Sequence, residues 1–164
     1  MRRRRTKAVE GWLLAAATLG EQRARKDWSD GGPALLRCGS RFAVVSLPVA
    51  LITFAASSMS VSAQDAYLAR TLRGTPLIRS RDGREIHAML RPDALAHWDV
   101  PDTECLGRDH FLGVPRPDLV GYQRRAVPYW VVPMARPGAL GCIRPVAHMI
   151  ARGRTRMTQQ EGTS

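Results

Sequence analysis

Lysine is nearly missing from this basic chain. The 164 residues carry 25 Lys or Arg against 14 Asp or Glu, a net charge of +11, but only Lys7 and Lys26 are lysines. Arginine therefore supplies almost all of the positive charge. Codon usage in a GC-rich genome produces such a bias, and so does selection for forked guanidinium groups that pair with anions. The charge alone does not name a partner.

Aromatic residues and recognisable nucleotide motifs are also scarce. Aromatics make up 6% of the chain, and its 11 prolines are typical of a domain with many loops. The sequence contains no internal repeat, glycine-rich phosphate loop, Ser-His-Asp order or aromatic stacking platform. We therefore do not expect nucleic acid as a partner.

One long apolar stretch lies at residues 42–56, FAVVSLPVALITFAA. Arg37 and Arg41 precede it, and seven small, mostly polar residues that end at Ala63 follow it. This order of charge, apolar core and small residues is typical of a signal peptide. We expect cleavage between Ala63 and Gln64, and export to the periplasm or the medium.

Other interpretations of this stretch remain open. An uncleaved segment would anchor the chain in the inner membrane with its C-terminus outside, because the positive flank stays in the cytoplasm. A soluble core helix and an organelle transit peptide are two further alternatives. Because 41 residues precede the apolar run, translation starting near Leu35 or Leu36 would give a leader of ordinary length.

These features divide the chain into four parts. Residues 1–41 form a basic N-terminal extension, 42–63 the signal core and cleavage region, 64–152 a small mature domain, and 153–164 a polar disordered tail. The first 63 residues carry ten cations and four acids, and the remainder carries fifteen and ten. Both halves are basic.

A β-hairpin is the clearest structural signal in the mature part. Residues 76–90 predict two strands around Asp82-Gly83, a pair that suits a tight turn. Short helices are indicated at 64–73 and 92–98. The predicted fold is a small α+β domain with short helices and many loops.

The C-terminal third is predicted to be less regular. Residues 126–134 are apolar and aromatic, but Pro128 and Pro133 restrict them to an edge strand or an extended surface strip. A terminal helix is expected at 146–152.

The chain has three cysteines, and the leader would carry Cys38 away. Cys105 and Cys142 would remain as a pair that an oxidising compartment lets bond. A disulfide that closes their loop of 36 residues would stabilise the folded domain by roughly 4 kcal/mol. Two unpaired buried thiols are the alternative.

Potential metal ligands are concentrated between Asp93 and His110. His97, Asp99 and His110 could supply three zinc ligands and leave a position open for water. The alternative is a solvated acidic loop that pairs with arginines, in which case no cofactor is expected.

A second candidate site surrounds Cys142. The four residues Gly141–Arg144 resemble the nucleophile segment of L,D-transpeptidases, exported enzymes that cross-link peptidoglycan through a cysteine thioester. The resemblance implies a nucleophilic thiolate at Cys142 and an anion-pairing guanidinium at Arg144. A base would have to come from His87 or His148. No family is recognised over the whole chain.

The first functional hypothesis is a small exported, non-enzymatic binding or structural module of the envelope. Its arginines, including the alternating Arg152, Arg154 and Arg156, would contact an anionic envelope surface or a protein partner. A membrane would be contacted only through an uncleaved leader. The alternatives are a cell-wall cysteine transferase and a metal-dependent hydrolase.

Overall fold

Helices and strands are interspersed along the chain in the computed structural model, which describes residues 1–122 and 127–163. The helices are α1 (Arg2–Leu14), α2 (Glu21–Ser29), α3 (Val49–Ala56), α4 (Val61–Thr71), α5 (Ala94–His97) and α6 (Ile143–Glu161). The strands are β1 (Ala34–Arg37), β2 (Ala43–Pro48), β3 (Leu77–Arg79), β4 (Glu85–Leu90), β5 (Cys105–Leu106), β6 (Phe111–Val114) and β7 (Tyr129–Val132). This mixed content agrees with the predicted α+β class.

The main sheet has five antiparallel strands in the order β5-β2-β4-β3-β7, and β1 pairs with β6 in a separate ribbon. Strands β2 and β4 pair over their full length, from Ala43 opposite Leu90 to Pro48 opposite Glu85. The chain segment predicted to be a leader therefore supplies a central strand.

Strand β2 is buried on both of its faces. Ala43, Val45 and Leu47 pack into a core with α3, α4 and α6, whereas Val44 points into a second core with α1, α2 and the β1–β6 ribbon. Successive side chains of a strand face opposite sides, so a strand covered on both sides is apolar at nearly every position. Burial on both faces accounts for the apolar side chains of this strand.

The predicted cleavage point lies inside helix α4. Ser60 caps this helix and accepts a hydrogen bond from the Ala63 backbone N–H at 3.4 Å. The Gln64 side chain is only 2% exposed, and its Nε2 donates to Thr53 Oγ1 at 3.0 Å and to the Ser58 carbonyl at 2.8 Å. Cleavage after Ala63 stays a prediction, and this packing argues against it.

A separate observation bears on the alternative that residues 42–56 form an uncleaved membrane anchor. In the part of the chain that the structure describes, no helix has the length and apolarity needed to cross a bilayer.

The predicted hairpin is confirmed. Strands β3 and β4 pair antiparallel, with Leu77 opposite Ala88, and Gly83 takes a φ of +72° in the turn. Asp82 Oδ1 accepts hydrogen bonds from the Arg84 N–H and the Ser80 hydroxyl. The local turn chemistry was therefore sufficient to place this element.

The predicted edge strand is also present within the described residues. Strand β7 pairs with β3 at one end of the sheet, between Pro128 and Pro133. Ala126, the first residue of the predicted segment, lies outside the described residues.

Helix α6 continues through the segment predicted to be a disordered tail. Its buried side is spaced as one helix face: Val146, Met149, Ile150 and Gly153. A Cβ on Gly153 would lie 2.6 Å from Leu51 Cδ1, so glycine here lets α6 approach α3 closely. Arg156 then donates to the Ala55 carbonyl at 2.9 Å, at the end of α3. The tail prediction missed this because the contacts are with a distant segment.

The predicted disulfide between Cys105 and Cys142 is wrong for this fold, in which both thiols are free. Cys105 pairs with Val45 on the outer side of β2, whereas Gly141 bridges Leu90 on the opposite side of β4. Three strand spacings, roughly 14 Å, separate these positions. Disulfide geometry needs Cα atoms within about 7 Å.

A buried polar network connects α4 with the sheet. Arg79 is 4% exposed and donates to Asp65 Oδ1 at 2.7 Å, and the Tyr129 hydroxyl donates to Asp65 Oδ2 at 2.7 Å. Burial, followed by the hydrogen bond to Asp65, raises the pKa of Tyr129. The Arg79 Nε has no hydrogen-bond partner among the described residues. Asp65 is therefore the main counter-charge for a buried guanidinium.

Candidate functional site

Three polar side chains meet on one face of the two central strands. Ser46 in β2 stands opposite His87 in β4, and Ser46 Oγ lies 2.7 Å from His87 Nδ1. Glu85 is two residues before His87 and so shares its face of β4. Its Oε2 lies 3.9 Å from His87 Nε2. A hydroxyl and an imidazole thus face each other across two strands, and a carboxylate of the same strand as the imidazole lies near its ring.

Burial controls the charge of the imidazole. The His87 side chain is 17% exposed, and desolvation lowers its pKa although Glu85 and Asp82 raise it. The ring is therefore neutral at pH 7. With its proton on Nε2, the ring can accept the Ser46 hydroxyl proton at Nδ1 and direct Nε2–H towards Glu85.

Ser46 and Glu85 line a cleft of about 550 Å³. The cleft exists because β5 pairs with β2 only at Val44 and Val45, which leaves the edge of β2 from Ser46 to Pro48 without a strand partner in the described residues. Its other charged lining residues are Asp102, Glu104 and Arg154. Ser46 is half-buried and borders this open space.

Sequence reasoning missed this group of residues. Glu85 and His87 show the two-residue spacing of a strand face, but Ser46 is 41 residues away and lay in the predicted leader. Only the register between β2 and β4 brings the three together.

Cys142 occupies a different and smaller cavity. Gly141 lies beside the C-terminal end of β4. Its N–H donates to the Met89 carbonyl, and its carbonyl accepts from the Arg91 N–H. A Cβ at Gly141 would lie 2.4 Å from Thr75 Oγ1, so glycine is required by close packing. Cys142 follows as the exposed N-cap of α6.

The cavity beside Cys142 measures about 110 Å³ and is also lined by Arg91, Asp93 and His97. The structure therefore brings together a candidate nucleophile and a histidine that the sequence had suggested as a metal ligand. His87 and His148, the bases considered from sequence, are not among the lining residues. Arg144 is exposed in the first turn of α6 and does not line this cavity.

The predicted metal ligands do not assemble. His97 ends α5, Asp99 follows it in an exposed loop, and His110 lies just before β6. Residues 1–122 and 127–163 contain no group of three or more His, Cys, Asp or Glu side chains placed to hold a metal ion.

The remaining two cysteines differ from Cys142 in their surroundings. Burial, with a smaller contribution from Cys105, raises the pKa of the Cys38 thiol to about 11. Burial also raises the pKa of Cys105. Both thiols are therefore poor nucleophiles at neutral pH.

Positive charge is concentrated on the first helix. Arg2–Arg5 and Lys7 are exposed, and their side chains make no hydrogen bond or ion pair with other residues that the structure describes. The helix itself is anchored, because Val9, Leu13 and Leu14 are buried. Trp12 belongs to the same helix, and the guanidinium carbon of Arg41, which precedes β2, lies 5.5 Å from the centroid of its ring.

No protein-family model, curated protein or solved structure matches this chain.

Proposed function

We propose that this chain is a small binding module that holds an anionic partner at the N-terminal end of α1. The observation that carries the proposal is the group of four arginines, Arg2–Arg5, exposed without counter-charges at the start of an anchored helix.

The local energetics of this helix end support the proposal. A helix N-terminus carries partial positive charge, so acidic residues stabilise the first turn and cations destabilise it. The first turn of α1 contains no acid and is almost entirely arginine. Like charges three and four residues apart add about 0.2–0.5 kcal/mol of repulsion per pair. A bound anion would reduce both the unfavourable interaction with the helix dipole and the repulsion between the arginines.

The chemistry of the partner follows from the guanidinium groups. Their planar forks pair with two oxygens at once, so clustered phosphates or carboxylates suit them best. An anionic lipid surface and an acidic protein face both present such groups, and the anionic envelope surface is the partner that we propose. The exposed helix surface offers no base-stacking feature that would favour nucleic acid.

The fold limits how export can be combined with this function. Cleavage after Ala63 would remove α1 together with β2 and α3. Binding through α1 therefore belongs to the uncleaved chain, and the export hypothesis stands apart from the binding proposal.

Replacing Arg2–Arg5 by glutamine should weaken binding to phosphatidylglycerol vesicles by about a thousandfold, because each Arg near an anionic surface contributes roughly 1 kcal/mol. Vesicle co-sedimentation at low and high salt measures the effect, and the salt dependence should fall with the affinity.

The matched control replaces four exposed arginines elsewhere, Arg70, Arg73, Arg84 and Arg136, by glutamine. This variant has the same net charge and should keep most of the affinity. Equal losses in the two variants would show that only net charge matters, and no binding by the parent chain would refute an anionic lipid surface. Binding to polyglutamate, measured in parallel, would indicate that the partner is an acidic protein face.

A second candidate function is cysteine chemistry at Cys142. It is favoured by a free, exposed thiol that shares a cavity with His97 at the start of a 19-residue helix. Helix N-terminal N–H groups attract the negative charge that develops on a carbonyl oxygen when a thiol attacks it. This arrangement suits the cysteine transferase alternative, with His97 as the candidate base.

Iodoacetamide should modify one thiol of the folded, unreduced chain, at Cys142, while Cys38 and Cys105 react only after denaturation. Peptide mapping identifies the site. If His97 is the base, His97→Ala should slow the reaction, and His110→Ala, an exposed histidine outside the cavity, should not. An unreactive Cys142, or equal rates in both variants, would remove the cysteine enzyme from consideration.

A further inference from the structure

We propose that Ser46, His87 and Glu85 form an acyl-transfer centre in which Ser46 is the nucleophile for small ester substrates that enter the cleft beside β2. This proposal is independent of anion binding at α1.

The geometry meets the requirement for an activated hydroxyl. A nucleophile needs its base within about 2.6–3.2 Å. Ser46 Oγ is 2.7 Å from His87 Nδ1, within this range. Glu85 Oε2 is 3.9 Å from His87 Nε2, beyond hydrogen-bond distance, so Glu85 acts on the ring through its charge. The order of the imidazole nitrogens is immaterial to the chemistry, because either one can accept the proton.

The placement of the three residues gives each a distinct role. Ser46 lines the cleft, whereas His87 does not, so substrate contacts the hydroxyl rather than the imidazole. The shielded ring is neutral at pH 7 because burial lowers its pKa, and it is free to take a proton. Both residues belong to the full-length β2–β4 pairing, which holds their separation rigidly.

The proposed reaction balances with water as the second substrate. Ser46 Oγ forms a bond to the carbonyl carbon as its proton passes to His87 Nδ1, and Glu85 stabilises the imidazolium. The C–O bond to the leaving group then breaks, and the leaving group takes its proton from a water molecule in the cleft, which becomes hydroxide. The hydroxide attacks the acyl-serine and the acid is released, while the proton held by His87 returns to Ser46 Oγ.

The charges of the cleft indicate which substrates fit. Glu85, Asp102 and Glu104 outnumber the single cation Arg154 among the lining residues. Neutral or cationic esters should therefore be accepted in preference to carboxylate-bearing ones.

A fluorophosphonate probe tests the centre directly, because it forms a stable adduct with an activated serine. We expect one adduct per folded full-length chain, mapped to Ser46 by peptide mass. The adduct should be absent in Ser46→Ala and retained in Ser40→Ala, an exposed serine outside the cleft. His87→Gln should slow labelling by about 10²–10⁴-fold, the usual contribution of a general base. The labelling rate should fall as acid protonates His87.

Several outcomes overturn the proposal. They are a folded chain that gives no adduct between pH 6 and 9, an adduct on another residue, or equal labelling of Ser46→Ala and its parent. Circular dichroism confirms that each variant is folded. Hydrolysis of p-nitrophenyl acetate above that of p-nitrophenyl hemisuccinate tests the charge preference, and the reverse order contradicts it. Vesicle binding and labelling are measured on separate samples of the parent chain, so failure of this centre and failure of anion binding are distinguishable.

Discussion

A chain that begins at Gln64 should fail to fold. It lacks the central strand β2, the preceding Phe42 and helix α3. The large buried side chains of this segment are Phe42, Val44, Val45, Leu47, Leu51 and Ile52. Each such side chain contributes roughly 1.5–3 kcal/mol by burial. The six side chains together contribute about 9–18 kcal/mol, which is comparable with the whole stability of an ordinary domain, about 5–15 kcal/mol. The truncated chain should show no cooperative thermal transition.

The control for this truncation is a chain that begins at Ala8. It loses Arg2–Arg5 and Lys7, all exposed, and keeps the buried Val9, so it should melt cooperatively near the temperature of the full chain. A stable, cooperatively melting fragment 64–164 would instead support the signal-peptide prediction. Intact mass of the protein from its own host reports directly whether residues 1–63 are retained.

Replacing Asp65 by alanine should destabilise the fold by about 3 kcal/mol, because it leaves the buried Arg79 guanidinium without its counter-charge. We choose the low end of the range for breaking a buried ion pair because the Asp65 side chain is 20% exposed. The Tyr129 hydroxyl loses its acceptor in the same variant. Urea denaturation measures the change in the free energy of unfolding.

Two comparisons isolate the buried charge. Asp27→Ala breaks the more exposed pair with Arg23 and should cost less than about 1 kcal/mol. The double variant Asp65→Ala with Arg79→Met should be more stable than Asp65→Ala alone, because no unpaired cation remains. If Asp65→Ala costs no more than Asp27→Ala, the network contributes little to stability.

Local chemistry explains the successful sequence predictions. Asp82-Gly83 defines the hairpin because its hydrogen bonds and positive φ need only neighbouring residues. Pro128 and Pro133 restrict β7 to an edge for a similar reason, since proline cannot donate in a sheet ladder. Neither inference required knowledge of distant contacts.

The apolar run at 42–56 shows where sequence reasoning reaches its limit. Twelve apolar residues out of fifteen are equally compatible with a signal core and with a doubly covered strand followed by a buried helix. What distinguishes them is whether α1, α2, α3 and α6 cover the two faces. That information is distributed over the whole chain.

The candidate sites divide in the same way. Sequence alone selected Cys142 and His97 as reactive residue types but assigned them to different sites, because their spacing does not show that α5 and the start of α6 meet. Ser46 and His87 carried no signal that could connect them across 41 residues.

The sequence by itself determined the basic, arginine-dominated charge, the mixed α and β content, the hairpin and the proline-limited edge strand. These follow from composition and from interactions within a few residues. Only the tertiary structure decided that residues 42–55 contribute to the core, that Cys105 and Cys142 are far apart, and that Ser46 meets His87. Each of these depends on strand order and register, which are selected by the packing of both faces of the sheet at once.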